Sequence, residues 1–168
     1  VTDRCDGGKS IQCAAQDRVT ANPHQAVADR LQSLTRLPLS NCRWHADIAH
    51  PEEETLDDST WKPVELGATF ESGVQVLRCS FKVPNELNKY DLRGTTLKAA
   101  FELQGDGMTM LSIYSNSHNV YRGNSDTLEP ILLTTNAQPD QQFVIAFRLE
   151  VGDQPRKLSR SEILIEPS

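Results

Sequence analysis

Residues 77–84 read Leu77-Arg78-Cys79-Ser80-Phe81-Lys82-Val83-Pro84. Leu77, Cys79, Phe81 and Val83 fall on one side of an extended chain, and Arg78, Ser80 and Lys82 on the other, because successive strand side chains point to opposite faces. One apolar and one wet face make a half-buried strand. Pro84, with no N–H for a ladder, ends it. The same period of two returns downstream. Leu97, Ala99, Phe101 and Leu103 alternate with Lys98, Ala100 and Glu102, and Gln104-Gly105-Asp106-Gly107 follows as a turn. Met108 to Tyr114 is a third strand, apolar on both sides and so more central, and Leu128 to Leu133 reads as a short one. Phe143, Ile145, Phe147 and Leu149 alternate after the turn Asn136–Asp140, and Ile163 and Ile165 mark a last strand. Tyr121 to Thr127, containing Gly123, reads as a loop. Some seven short strands with turns between them, and no βαβ alternation, predict a mainly β protein: a β-sandwich or barrel.

Upstream of Trp61 the pattern differs. Residues 1–20 are a polar lead-in. Asn22 is a good N-cap, Pro23 suits the first helical position and Gln25 sits where a capping-box partner belongs. Ala26, Val27, Leu31 and Leu34 then form an apolar stripe that Pro38 ends, predicting a short N-terminal helix that packs on something larger. Pro51-Glu52-Glu53-Glu54 and Asp57-Asp58-Ser59-Thr60 form an acidic loop. The expected organisation is a lead-in over 1–20, a helix and acidic loop packing on the sandwich over 21–56, and the sandwich over 57–168.

The chain has 168 residues, 38% hydrophobic and 24% charged, with 17 Lys and Arg against 23 Asp and Glu, a net charge of −6. A domain of this size buries about 70% of its unfolded surface, enough for a core without metal or dense cross-linking. An acidic balance excludes an electrostatic grip on nucleic acid, and no apolar run approaches the roughly 20 residues of a membrane-spanning helix. No cofactor is implied.

Cys5, Cys13, Cys42 and Cys79 include no C-x-x-C pair, which argues against a zinc ribbon or thioredoxin-like motif. Two disulfides have three pairings. A Cys5–Cys13 bridge across a polar, Gly-containing stretch is preferred to Cys42–Cys79, since Cys79 reads plainly as a small buried hydrophobe. The N-terminal Val1-Thr2-Asp3-Arg4 is polar and does not read as a signal peptide, as expected of a mature, trimmed or excerpted chain, and no glycosylation sequon occurs. A bacterial exported protein is the preferred compartment, with a cytosolic one open.

Cys42, His45, Asp47 and His50 are all zinc-ligand types. Their spacing matches no helical pair, so the plainer reading is a loop with Trp44 on the core. The acidic stretch lacks the alternation of a calcium loop. No G-x-S-x-G elbow or carboxylate pair identifies a catalytic residue. The segment carrying Tyr114, Asn116, Asn119, Tyr121, Asn124 and Asp126 concentrates rings and amides. Flat rings meet the apolar face of a sugar and planar donors and acceptors meet its hydroxyls, making these six the candidate carbohydrate contacts.

The order from Asp57-Asp58-Ser59-Thr60-Trp61 through Leu77–Pro84, Leu97 to Leu103 and Ser112-Ile113-Tyr114-Ser115-Asn116 with Gly123, then Ala137-Gln138-Pro139-Asp140 to Phe143-Val144-Ile145-Ala146-Phe147-Arg148, resembles a known module. It is the galactose-binding-like jelly roll at the N-terminus of many multidomain glycosidases. Leu31-Gln32-Ser33-Leu34-Thr35-Arg36-Leu37-Pro38 with Trp44 is similar to the N-terminal portion of bacterial family 38 glycoside hydrolases, the α-mannosidases. Ser117 and Asp140 stand where that pattern has turn glycines. The resemblance implies a jelly-roll sandwich and an ancillary, non-catalytic role. Its partners would be the catalytic domain of the same polypeptide or a glycan, the catalytic carboxylates and any zinc lying in another domain. A free-standing exported binding protein and a small enzyme are the alternatives.

Overall fold

A computed structural model of the chain describes residues 35–167. The lead-in, the helix stripe through Leu34, and Cys5 and Cys13 lie outside the described residues.

Thirteen strands occur among the described residues. They are β1 (Arg36–Pro38), β2 (Cys42–Ala46), β3 (Lys62–Val64), β4 (Thr69–Phe70), β5 (Gly73–Lys82), β6 (Glu86–Leu87), β7 (Tyr90–Asp91), β8 (Thr96–Gln104), β9 (Thr109–Ser115), β10 (His118–Asn124), β11 (Ile131–Thr134), β12 (Gln142–Val151) and β13 (Arg156–Glu166). A 3-10 turn, Ser125–Thr127, follows β10. One sheet runs β10-β9-β12-β5-β2-β3 and a second runs β11-β8-β13-β1 with β4 on β13, while β6 and β7 pair as a small hairpin. All pairings are antiparallel. The two sheets face each other over one core, where Phe101 of β8 stacks on Phe147 of β12 at 4.2 Å between ring centroids. The fold is the expected mainly β, jelly-roll sandwich.

The period-two strands fall where alternation puts them. Leu77 and Cys79 of β5, Leu97 and Phe101 of β8, and Phe143, Ile145 and Leu149 of β12 all enter the core. Three expectations need correction. Positions 36–38, taken as the end of the helix, form β1, which pairs with Leu164, Ile163 and Glu162 of β13; Pro38 is tolerated because β1 is an edge strand among the described residues. Residues 42–46, taken as loop, form β2, which is inserted between β3 and β5, so among the described residues the sheets include strands upstream of Asp57. Residues 121–124, also taken as loop, belong to β10, an edge strand whose mostly exposed side chains give no apolar alternation.

Cys42 and Cys79 are directly opposed in the β2–β5 ladder and form a disulfide. The Ser80 amide donates to the Asn41 carbonyl next door (2.9 Å), so the cysteines occupy a non-hydrogen-bonded position, where facing side chains approach most closely.

Ser117 and Asp140, the two departures from turn glycine, have left-handed backbones, with φ of 73° and 65°. Asn116, before Ser117, has φ 46°. The β9–β10 connection is therefore a two-residue turn with both φ positive, the geometry that suits hairpin twist. The fold demands the glycine conformation and gets it from residues that tolerate it less well.

The acidic stretch lies across the outer face of the six-stranded sheet. Arg78 of β5, only 7% exposed, donates from Nη1 to the Leu56 carbonyl (2.8 Å), and its Nε lies 3.6 Å from Asp58 Oδ2. Arg43 of β2 donates to the Ser59 carbonyl (2.6 Å), and the Ser117 hydroxyl donates to the Glu52 carbonyl. Trp61 closes the segment, buried beside His45 at 5.4 Å.

Candidate functional site

Where this segment crosses the sheet it walls a groove of about 480 Å³ over β10, β9 and β12. Alternation supplies its floor: Met110, Ser112 and Tyr114 project outward from β9, Arg148 and Glu150 from β12, and Arg122 from β10, with Ala49, His50 and Glu52 as the wall. The ladder registers place Arg122, Ser112 and Arg148 in one transverse row, since Ser112 is opposite Arg122 on one side and Arg148 on the other. Arg148 Nη1 donates to Glu150 (2.8 Å) and His50 Nδ1 lies 3.4 Å from Glu52. Arg122 has no counterion among the described residues.

A second concavity of about 470 Å³ is more apolar and lies beside Trp44, Val64 and Phe70. Its polar groups are spent on one another: Trp44 Nε1 donates to Gln75 Oε1 (2.8 Å), the Gln75 amide donates to the Glu71 carbonyl (2.9 Å), and Lys62 Nζ sits 5.8 Å from the Trp44 ring.

Of the six expected carbohydrate contacts, Tyr114 faces the groove. The other five have structural tasks. Asn116 accepts from the Val144 amide (2.8 Å) and donates to the Gln142 carbonyl (3.3 Å), tying the hairpin turn to β12. Asn119 donates to the carbonyls of Ile113 and Tyr121 beside a bulge that leaves Val120 without a ladder partner. Tyr121 packs on the core and donates to the Asn124 carbonyl (2.7 Å). Asn124 caps the 3-10 turn by accepting from the Asp126 amide (2.9 Å). Asp126 pairs with Arg156.

The zinc-type residues do not converge. Cys42 is in the disulfide, His45 lies tilted against Trp61 and His50 pairs with Glu52. Among the described residues no group of three or more metal-ligating side chains comes together. No helix among them is long and apolar enough to cross a membrane. Asp57 is held below the usual carboxylate range, chiefly by the Ser59 backbone amide. Arg160, bonded by Glu102 and then Glu162, is held more firmly protonated than usual.

Sequence reading missed Ser112, Arg122 and Arg148. The only sequence signal was that Ser112 and Arg148 fall on the polar phase of their strands; their convergence depends on register.

No protein-family model matches this sequence, and no curated protein matches it. Solved structures do. A glycosyl hydrolase family 2 member from Bacteroides cellulosilyticus superposes with a TM-score of 0.58 at 20% identity, over 79% of this chain and 21% of that one. A Bacteroides uniformis β-glucuronidase, covalently bound to cyclophellitol-6-carboxylate aziridine, gives 0.57 at 14% identity over 78% and 18%. A further family 2 β-glucuronidase gives 0.53 at 14% identity over 68% and 14%. At such identities the likeness is one of fold: this chain has the fold of a β-sandwich portion of larger glycosidases. It spans about a fifth of the length of the first of them.

Proposed function

We propose that the chain is an ancillary, non-catalytic β-sandwich module of a multidomain glycosidase. It packs against the catalytic domain of the same polypeptide and contacts glycan over the outer face of β9, β10 and β12. The carrying observation is the match of most of this sandwich to a fifth of a family 2 glycosidase. The groove supports glycan contact: its volume suits one or two sugar rings, and it combines a ring, a hydroxyl and guanidinium donors. The Cys42–Cys79 disulfide supports an oxidising compartment and hence export. The neighbours favour a parent of the family 2 type. A family 38 parent, and mannoside specificity, rest on the similarity of 31–38 and Trp44 alone.

The test is the genomic reading frame together with turnover. An in-frame catalytic domain joined to this module, with aryl-glycoside hydrolysis by the full polypeptide and none by the 168-residue chain, is the expected result. Stop codons flanking the chain on both sides, or turnover by it alone, would overturn the reading.

A further inference from the structure

The row Arg122–Ser112–Arg148 is built for an anion. Neighbouring strands lie about 4.8 Å apart, so the two arginine backbones stand roughly 10 Å apart with the serine midway. Ser112 is 9% exposed and lines the groove, with its hydroxyl open to whatever occupies it. Arg148 Nε is buried without a partner, although Nη1 of the same side chain is held by Glu150. Arg122 is exposed and brings a whole guanidinium with no counterion among the described residues. Of the groove's carboxylates, Glu150 pairs with Arg148 and Glu52 Oε2 lies 3.4 Å from His50 Nδ1, with Glu52 Oε1 buried and unpartnered; neither forms an ion pair with Arg122. One step along β9 lies the half-buried ring of Tyr114.

We infer that this groove is a subsite for the acidic group of a glycan, a carboxylate or sulfate borne on a pyranose. The oxyanion sits over Ser112, accepts from that hydroxyl and bridges Arg122 and Arg148, while the sugar ring lies toward Tyr114. Guanidinium binds oxyanions by paired, charge-assisted hydrogen bonds, and an aromatic face suits the C–H side of a pyranose. This deepens the proposed glycan contact and rests on it. The other occupant with matching chemistry, a carboxylate of a neighbouring domain, is an outcome of the test.

The experiment is an NMR titration of the 168-residue chain with methyl β-glucuronide, methyl β-glucoside 6-sulfate, methyl β-glucoside and acetate. The expected result is saturable shifts at Ser112, Tyr114 and the Arg122 and Arg148 side chains with one or both acidic sugars. The uronide and sulfate arms identify the oxyanion. Arg122→Gln, at an exposed position without a partner, should weaken that binding about tenfold or more with Tm unchanged. Equal shifts with the neutral glucoside would overturn the acidic assignment while leaving the module reading intact. Acetate binding as tightly as the sugars, or no shift with either acidic sugar, would overturn the subsite and point to a protein carboxylate as its occupant. Failure of the module reading shows separately, in the reading frame.

Discussion

Arg156 reaches Asp126 across the end of the sandwich: Nη2 donates to Oδ1 at 3.1 Å from a guanidinium only 1% exposed. The same side chain also donates to the carbonyls of Gly107 (2.8 Å) and Leu103 (3.4 Å). A buried cation thus gathers the β8–β9 turn, the end of β8 and the 3-10 turn onto the start of β13. Asp126, 59% exposed on its solvent side, serves as its counterion. Asp126→Asn should cost about 1–2 kcal/mol, because the carbonyl partners remain. Arg156→Ala, which empties the pocket and orphans those carbonyls, should cost about 3–5 kcal/mol. Urea denaturation of both variants checks the ranking; equal costs would contradict it.

The Cys42–Cys79 bridge closes a segment with a sequence separation of 37. In the chain-entropy picture a loop of that length contributes about 4 kcal/mol. The Cys42→Ala/Cys79→Ala double variant should lose stability on that scale, read as a lower urea midpoint. Intact mass with and without reductant counts the bridges directly. Cys5 and Cys13 add to that count if they too are joined.

Arg78 holds the acidic segment on the sheet through Leu56 and Asp58. Arg78→Ala should release it, raising amide hydrogen exchange across residues 51–60 while the β8–β13 amides stay protected. Unchanged exchange there would show that Arg43 and Ser117 suffice to hold it.

Asp140 occupies a left-handed position with an exposed side chain, and its pair with Lys82, at 3.8 Å and exposed on both sides, contributes little. Asp140→Gly should therefore raise stability by about 0.5–1 kcal/mol. Ser117→Gly should gain less, because it also removes the hydroxyl bond to Glu52. Thermal unfolding of the pair tests the order.

The lowered proton affinity of Asp57 fixes the sign of one pH effect. Its ordinary value is 3.8, and the folded value lies below that because the Ser59 amide bonds the charged form. Its contribution is present above the unfolded value and is lost as pH falls through the folded one. The Ser59 amide resonance should move with pH below about 4, with little change in Tm, since this carboxylate is wholly exposed.

The sandwich was legible wherever one face of a strand is dry. The phases of β5, β8 and β12 follow directly from Leu77, Phe101 and Ile145. Alternation fades where a strand is an edge or where its outer face is covered. β10 is exposed along most of its length, with Tyr121 alone of its side chains packing on the core, and β2 is five residues between two proline-bounded stretches. The structural work of the amides was hidden for a different reason. Asn116, Asn119 and Asn124 have the chemistry of sugar contacts, but strand ends and turns carry backbone groups that such side chains satisfy first. Ser112, Arg122 and Arg148 lie on three strands, two of them adjacent in sequence and the third far along the chain. Only the ladder puts them in a row.

The disulfide also changes how the sandwich carries mechanical load. Tension applied at Thr35 reaches β1, a three-residue strand held by its ladder to β13. That ladder opens one rung at a time. The next station is Cys42, covalently joined to the middle of a ten-residue strand that is itself laced to β12. Beyond that point a pull must shear the centre of the six-stranded sheet instead of unzipping its rim. A clamp so placed lets a module lose β1 to a tugging neighbour and still keep the groove above β9 and β12 in register.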